Sequence, residues 1–171
     1  AIIKLLHIYG VGSITAVDSK GIIGDARDDL NEEKKALLEY LDTSYSGSLD
    51  DAITDADIFI GVSKPGLLTK EMVVKMADKP VVFALSNPVP EIMPDEAKDA
   101  GVAVLATGRS DFANQVNNAI AFPGIFRGAL DNKVRTITDQ HKIAAAEVIA
   151  SLVEQPTAEE IIPSVFDMRL V

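Results

Sequence analysis

Short apolar runs, each closed by glycine, proline or asparagine, divide this chain into a repeating pattern. Residues 57–62 (Asp-Ile-Phe-Ile-Gly-Val), 80–85 (Pro-Val-Val-Phe-Ala-Leu) and 102–106 (Val-Ala-Val-Leu-Ala) are continuous, and the first two are rich in β-branched and aromatic side chains. Such runs predict strands buried on both faces, as in a parallel sheet. Between them the period lengthens. Residues 69–77 read as an amphipathic helix with Met72 and Met76 four apart and directed to the core. Pro94 starts a short helix that Gly101 ends. Upstream, Leu30, Leu37, Leu38 and Leu41 give helical spacing over 30–41, a strand is predicted near 43–45, and Ser48 reads as the N-cap of a helix through Ile53. Downstream, a long helix is predicted over 137–153, capped near Thr138 and Asp139. Strands alternating with helices predict an α/β fold with a mostly parallel sheet.

The first residues refine this picture. A helix is predicted over 2–9, and its side chains (Ile2, Ile3, Leu5, Leu6, Ile8, Tyr9) are too continuously apolar for a surface helix, so it is expected to be sandwiched. Gly10 and Gly12 end it, and 13–17 is a β-rich run that stops on Asp18. Helix, glycine turn, strand and acid form the second half of a βαβ unit. The expected fold is therefore a Rossmann-like three-layer sandwich. Gly10-Val-Gly12 is not its phosphate fingerprint, because those glycines must follow a strand and open a helix. A fingerprint precedes its acid by about 20 residues, which places it before Ala1. The sheet is thus expected to lack its first strand and Gly-rich loop. In a sheet ordered 3-2-1-4-5-6 that strand is central. The strands at 13–17 and 57–62 would then close up, or a second chain would fill the gap.

Composition narrows the function. The 171 residues are 47% hydrophobic and 25% charged, ordinary for one globular domain or at most two. There is no cysteine, which excludes thiolate metal sites and cysteine nucleophiles. A net charge of −10 argues against nucleic acid and anionic membranes as partners, and no apolar run approaches the roughly 20 residues that span a bilayer. A cytoplasmic protein is expected. His7 and His141 have no companion at metal-binding spacing and read as packed or solvated side chains.

Candidate chemistry gathers after residue 106. Asn114, Gln115, Asn117 and Asn118 place four side-chain amides within five residues. In a helix Asn114 and Asn118 would share a face with Asn117 beside them. Carboxamides donate and accept hydrogen bonds without titrating, so they can orient a carboxylate or a nicotinamide amide but cannot act as acid or base. The alternative is that they only cap a helix.

Thr107-Gly-Arg-Ser-Asp111, Asn114-Gln-Val-Asn-Asn118 and Phe122-Pro-Gly-Ile-Phe-Arg-Gly128 resemble the cofactor-binding domain of bacterial malic enzymes. So do Phe83-Ala-Leu-Ser-Asn-Pro-Val-Pro-Glu-Ile-Met-Pro94, Asp18-Ser-Lys-Gly21 and Phe59-Ile-Gly-Val-Ser63. The resemblance runs over nearly the whole chain with its motifs in order. It implies a domain binding NAD, with NADP possible, in an enzyme that oxidises malate and decarboxylates the product to pyruvate with Mg or Mn. Residues 1–171 are then one nicotinamide-dinucleotide-binding domain trimmed at both ends, with the substrate and metal domain elsewhere. Asp18, at a strand end, would accept from the adenosine ribose hydroxyls; the alternative is a turn-forming Asp before Ser-Lys-Gly. An acid there suits NAD because it repels a 2′-phosphate, though Lys20 could offset it. By the resemblance Gly61, Val62 and Ser63 lie on the cofactor's ribose side, Asn118 also holds cofactor, and Asn87 meets both nicotinamide and substrate, with Asn117 on the substrate; the alternatives are an ordinary strand exit for 61–63 and a turn residue before proline for Asn87.

No Asp/Glu cluster with metal geometry and no Lys/Tyr pair stands out, so no catalytic residue or metal ligand is assigned in this chain. In malic enzymes those groups come from the preceding domain and from residues beside the phosphate loop. The chain alone is expected to be inactive, and its parent to be a homo-oligomer. The competing readings are a non-catalytic nucleotide-binding or regulatory module of the same fold, and a domain of amino-acid-dehydrogenase type.

Overall fold

The computed structural model describes residues 1–170. The chain forms two compact units, Ala1–Thr54 and Asp55–Val171.

In the first unit, helix α1 (Ile2–Tyr9) ends on Gly10, whose φ of 97° lets its N–H reach back to the Leu6 and His7 carbonyls. The expected sandwiching is not observed: no residue of α1 is buried, and Tyr9 is 63% exposed. Its neighbour in the unit is a single 3-10 turn, Leu38–Tyr40, met edge-on by His7 against Tyr40 at 5.2 Å. One short turn cannot cover an apolar surface that runs round the helix. The strand expected over 13–17 shrinks to β1 (Val17–Asp18), which folds back antiparallel on β2 (Gly21–Ile22). Ile14 and Ala16 spend their carbonyls on the Asp42 and Ile23 N–H groups instead of on a ladder. β1 and β2 make up a two-stranded sheet of their own.

The helix expected over 30–41 is broken. Asn31 caps α2 (Glu32–Lys35) by accepting from the Lys34 N–H, and the chain then tightens into the 3-10 turn. No strand forms at 43–45, where the Asp42 carboxylate accepts from both the N–H and the hydroxyl of Ser44. The expected short helix is present as α3 (Leu49–Ala52), with Ser48 and Asp51 in a reciprocal capping box.

The second unit carries the parallel sheet. Strands β3 (Ile58–Gly61), β4 (Val81–Ala84) and β5 (Val104–Thr107) lie in the order β3-β4-β5. They are linked by helices α4 (Lys70–Val74), capped by Thr69, and α5 (Pro94–Asp99). Central β4 buries Val82 and Ala84 completely, and Phe59, Val73, Met76, Ile92, Ala97 and Ala106 complete the core around it. The pairing register sets Gly61 beside Ala84 and Ala84 beside Thr107. All three strands thus end level, and the loops that follow leave from one edge of the sheet. In open α/β sheets that edge is where ligands bind. The chain continues through α6 (Phe122–Asp131) and α7 (Asp139–Ser151), the latter capped by Thr138.

Candidate functional site

The three level strand ends are finished in the same way. Two residues past each end, a main-chain N–H donates to a side-chain oxygen. The Ser63 N–H, past Gly61, donates to Glu91 Oε1 at 2.9 Å. The Ser86 N–H, past Ala84, donates to Glu91 Oε2 at 2.9 Å. The Arg109 N–H, past Thr107, donates to Thr107 Oγ1 at 3.2 Å. Donors left over where a ladder stops must find partners when buried, and here Glu91 and Thr107, both 0% exposed, supply them.

Glu91 also ties these loops through its main chain. Its carbonyl accepts from the Leu68 N–H at 3.1 Å, and the neighbouring Pro90 carbonyl from the Gly66 N–H at 3.3 Å. Gly61 is a glycine for the same reason: a Cβ there would lie 2.6 Å from the Glu91 carboxyl carbon. Arg109 secures the other side of the β4 loop. Its guanidinium forks onto Asp111 at 2.6 and 2.8 Å, reaches the Pro88 carbonyl at 3.4 Å and stacks over the Phe112 ring at 4.9 Å. That pairing holds the Asp111 carboxyl below the usual carboxylate range.

On this frame Val62, Ser63 and Asn87 are exposed, whereas Gly61 is buried. Asn87 precedes Pro88 through a cis peptide bond, in the loop whose two sides are fastened by Glu91 and Arg109.

The amide-rich stretch is not one helix face. Residues 110–117 are irregular, Asn114 has a φ of +52°, and regular structure resumes only with the 3-10 turn Asn118–Ile120. Asn114 is 6% exposed, and its amide is used up internally. Its Nδ2 donates to the Leu105 carbonyl at 2.9 Å and the Ala158 carbonyl at 2.8 Å, while Oδ1 accepts from the Ile161 N–H at 2.8 Å. It is a staple between β5 and the segment 158–161. Asn117, itself exposed, caps the 3-10 turn, its Oδ1 accepting from the Ala119 N–H at 2.9 Å. Asn118 is exposed. The capping expectation thus finds a residue in Asn117 Oδ1.

In the first unit Asp18 is the centre of an ion network that joins the turn at 25–29 to the polar side of α2. Arg27 Nη1 donates to its Oδ1 at 2.7 Å, Lys34 Nζ to its Oδ2, and the Lys20 N–H to Oδ1 at 2.8 Å. Arg27 also forks onto Asp29, which Lys20 Nζ meets at 2.6 Å. Arg27 first, and Lys34 second, hold the Asp18 carboxyl far below the usual carboxylate range. Three cations face two carboxylates, so the local charge is +1. The lysine spacing in 30–41 hid this, because a lysine on a polar helix usually faces water. The signal for Glu91 was stronger: it is the one acid inside Pro88-Val-Pro-Glu-Ile-Met-Pro94, a setting that offers it no solvated face. Among the described residues no three His, Asp or Glu side chains stand together in a metal-binding group.

The sequence model for the family described as malic enzyme, NAD binding domain, matches residues 10–171. The chain is 54% identical to the bifunctional malic/malolactic enzyme of Bacillus subtilis (strain 168), over 99% of this chain and 42% of that protein. It is 49% identical to the NAD-dependent malic enzyme of Geobacillus stearothermophilus, over 98% of this chain and 36% of that protein. It is 44% identical to the NADP-dependent malic enzyme of Halomonas elongata, over 95% of this chain and 38% of that protein. Among solved structures, the NAD-dependent malic enzyme of Thermotoga maritima superimposes with a TM-score of 0.94 at 45% identity, covering 99% of this chain and 45% of that one. The chain thus spans less than half the length of these relatives.

Proposed function

This chain belongs to the family of malic enzyme NAD-binding domains, and we propose that it is the cofactor domain of an enzyme converting malate to pyruvate and CO2. The observation that carries the reading is the level ending of β3, β4 and β5, with Ser63 and Asn87 presented in the open by loops tied to one buried carboxylate. Ser63 and Asn87 offer the hydroxyl and amide that a ribose and a nicotinamide carboxamide require.

Each residue has a role in this reading. Asp18 keeps lone-pair capacity for a ribose hydroxyl, since a carboxylate has about four acceptor positions and three are taken by nitrogen donors. Gly61 and Val62 line the ribose side and Ser63 donates or accepts there. Asn87 orients the nicotinamide and one end of malate, with Asn118 on the cofactor and Asn117 on the substrate. When bound, the nicotinamide supplies the hydride acceptor. The residues of this chain bind and orient. The acid, the base and the ligands of Mg or Mn are assigned to polypeptide outside these 171 residues, a division supported by the greater length of the relatives. NAD is the expected cofactor, and the surplus positive charge around Asp18 makes NADP acceptable as well. We place the parent in the cytoplasm as a homo-oligomer; exposed Ile58 on edge strand β3 and exposed Val62 just past its end favour association.

The test is to assay the full-length protein and the isolated chain with malate, Mn²⁺ and either cofactor. Reduction of cofactor by the former and none by the latter is expected. Turnover by the isolated chain would overturn the division of labour. A full-length protein that neither turns over nor binds NAD would remove the function itself.

A further inference from the structure

Glu91 is the largest buried polar side chain of the molecule that the proposed function does not use. Its two oxygens accept from two loops that are adjacent in space and far apart in sequence: Ser63 lies 28 residues before it and Ser86 five before it. One of those donors belongs to the ribose-side residue Ser63. The other belongs to the residue immediately before Asn87. The Glu91 carbonyl accepts from the Leu68 N–H, so both ends of the loop between β3 and α4 are anchored to Glu91. The missing Cβ of Gly61 is what makes room for this carboxyl.

We infer that Glu91 is a positioning residue for the nicotinamide cofactor: its carboxylate sets the separation between the Ser63 loop and the Asn87 loop, and with it the spacing of the ribose and nicotinamide contacts. The inference rests on the cofactor reading above. The chemistry requires a carboxylate of this length. Glutamine has the same shape but replaces one acceptor oxygen by an NH2 group, which would face a main-chain N–H and leave that buried donor unpaired. Aspartate is shorter by one methylene, roughly 1.5 Å, and can serve only one of two donors that lie on different strands' exits. A pre-organised pair of loops strengthens binding by removing the ordering cost that mobile loops would add on binding.

The experiment uses the full-length protein and compares wild type, Glu91→Gln, Glu91→Asp and, as a packing control in the next core position, Ile92→Val. NAD affinity is measured by calorimetry per folded molecule, alongside kcat and KM for NAD. Glu91→Gln is expected to weaken NAD binding about tenfold, raising KM for NAD and lowering kcat together, because both loops shift. Glu91→Asp should fall between it and wild type, and Ile92→Val should leave the affinity unchanged. A purely structural Glu91 would reduce the folded fraction and leave Kd per folded molecule at the wild-type value, and that result overturns the inference. Amide hydrogen exchange of the wild type without cofactor gives a reading independent of how the variants fold. Slow exchange at both Ser63 and Ser86 is expected, and fast exchange at either refutes a preformed clamp. If wild type itself fails to bind NAD, it is the cofactor reading that has failed.

Discussion

Asn114 offers the sharpest separation between a ligand amide and a structural one. Replacing it by alanine removes two donated hydrogen bonds and one accepted bond, all between 2.8 and 2.9 Å and all to main-chain groups. Each such bond contributes about 1 kcal/mol net, so the three together contribute about 3 kcal/mol. Alanine at a φ of +52° adds a left-handed cost of about 1 kcal/mol. An open cleft of about 350 Å³ lined by Asn114, Gln115 and Ser164 lets water reach the freed groups and returns part of this. The expected loss is about 3 kcal/mol, which for a chain of this size lowers Tm by roughly 6–12 °C. Asn114→Gly should recover about 1 kcal/mol of it by relieving the backbone alone. Asn114→Asp should be worse than glycine, because a carboxylate oxygen would then face the Leu105 and Ala158 carbonyls. Urea denaturation followed by circular dichroism reads all three variants, and NAD affinity per folded molecule should not change in any of them. A loss below about 1 kcal/mol in the alanine variant, or weakened NAD binding at unchanged stability, would return Asn114 to the ligand site.

Three further outcomes follow from the geometry. Gly61→Ala forces a Cβ to within 2.6 Å of the Glu91 carboxyl, and its overpacking should lower stability by about 1–3 kcal/mol in the same denaturation assay. The Asp18 carboxyl is held low chiefly by Arg27 and then by Lys34. A depressed carboxyl stabilises in full above its unfolded pKa of about 3.9 and loses that contribution as pH falls below it. The Tm gap between wild type and Asp18→Asn should therefore be constant from about pH 5 to 8 and narrow below about pH 4, and a gap that widens toward acid would refute the sign. Lys34→Ala leaves Asp18 less neutralised, so NADP affinity should fall relative to NAD by roughly tenfold at low salt and less as salt rises. Equal losses for both cofactors would show that Lys34 does not sense the 2′-phosphate.

What was legible in the chain divides by the range of the interaction. The three strands could be read because an uninterrupted apolar run is a local property, although β3 and β4 bury only alternate residues and not both faces as the runs suggest. The caps at Ser48 and Thr138 depend on groups no more than three residues away. Asn114 could not be read in the same way. Its left-handed backbone and inward amide are explained by Ala158 and Ile161, 44 and 47 positions later. Helical spacing placed Leu30, Leu37 and Leu38 on one element, yet Asn31 capping and the 3-10 turn divided it. The exposure of α1 was misread because hydrophobicity reports that a surface should be covered and does not name the cover. The family resemblance is unaffected by these differences, since three of its motifs (59–63, 83–94 and 107–111) are the exits of β3, β4 and β5, and local pattern located those strands well.

The three strand exits show why such loops can be both exposed and fixed. A parallel strand that stops leaves an N–H two residues on with no ladder partner. Hydration would satisfy it but would leave the loop free to move. A buried side-chain oxygen satisfies it and removes that freedom. Glu91 does so for two exits and Thr107 for the third. Because the satisfying groups lie inside, Ser63 and Asn87 keep their own hydroxyl and amide available to a ligand. The exits stand level because the register of β3, β4 and β5 makes them so. A ligand that spans adjacent exits therefore meets groups whose spacing is set by strand separation, about 4.8 Å, and by one carboxylate. Changing the exposed residues should alter what is bound. Changing Glu91 should alter how well anything bound there is held, and this difference separates the platform from its occupants.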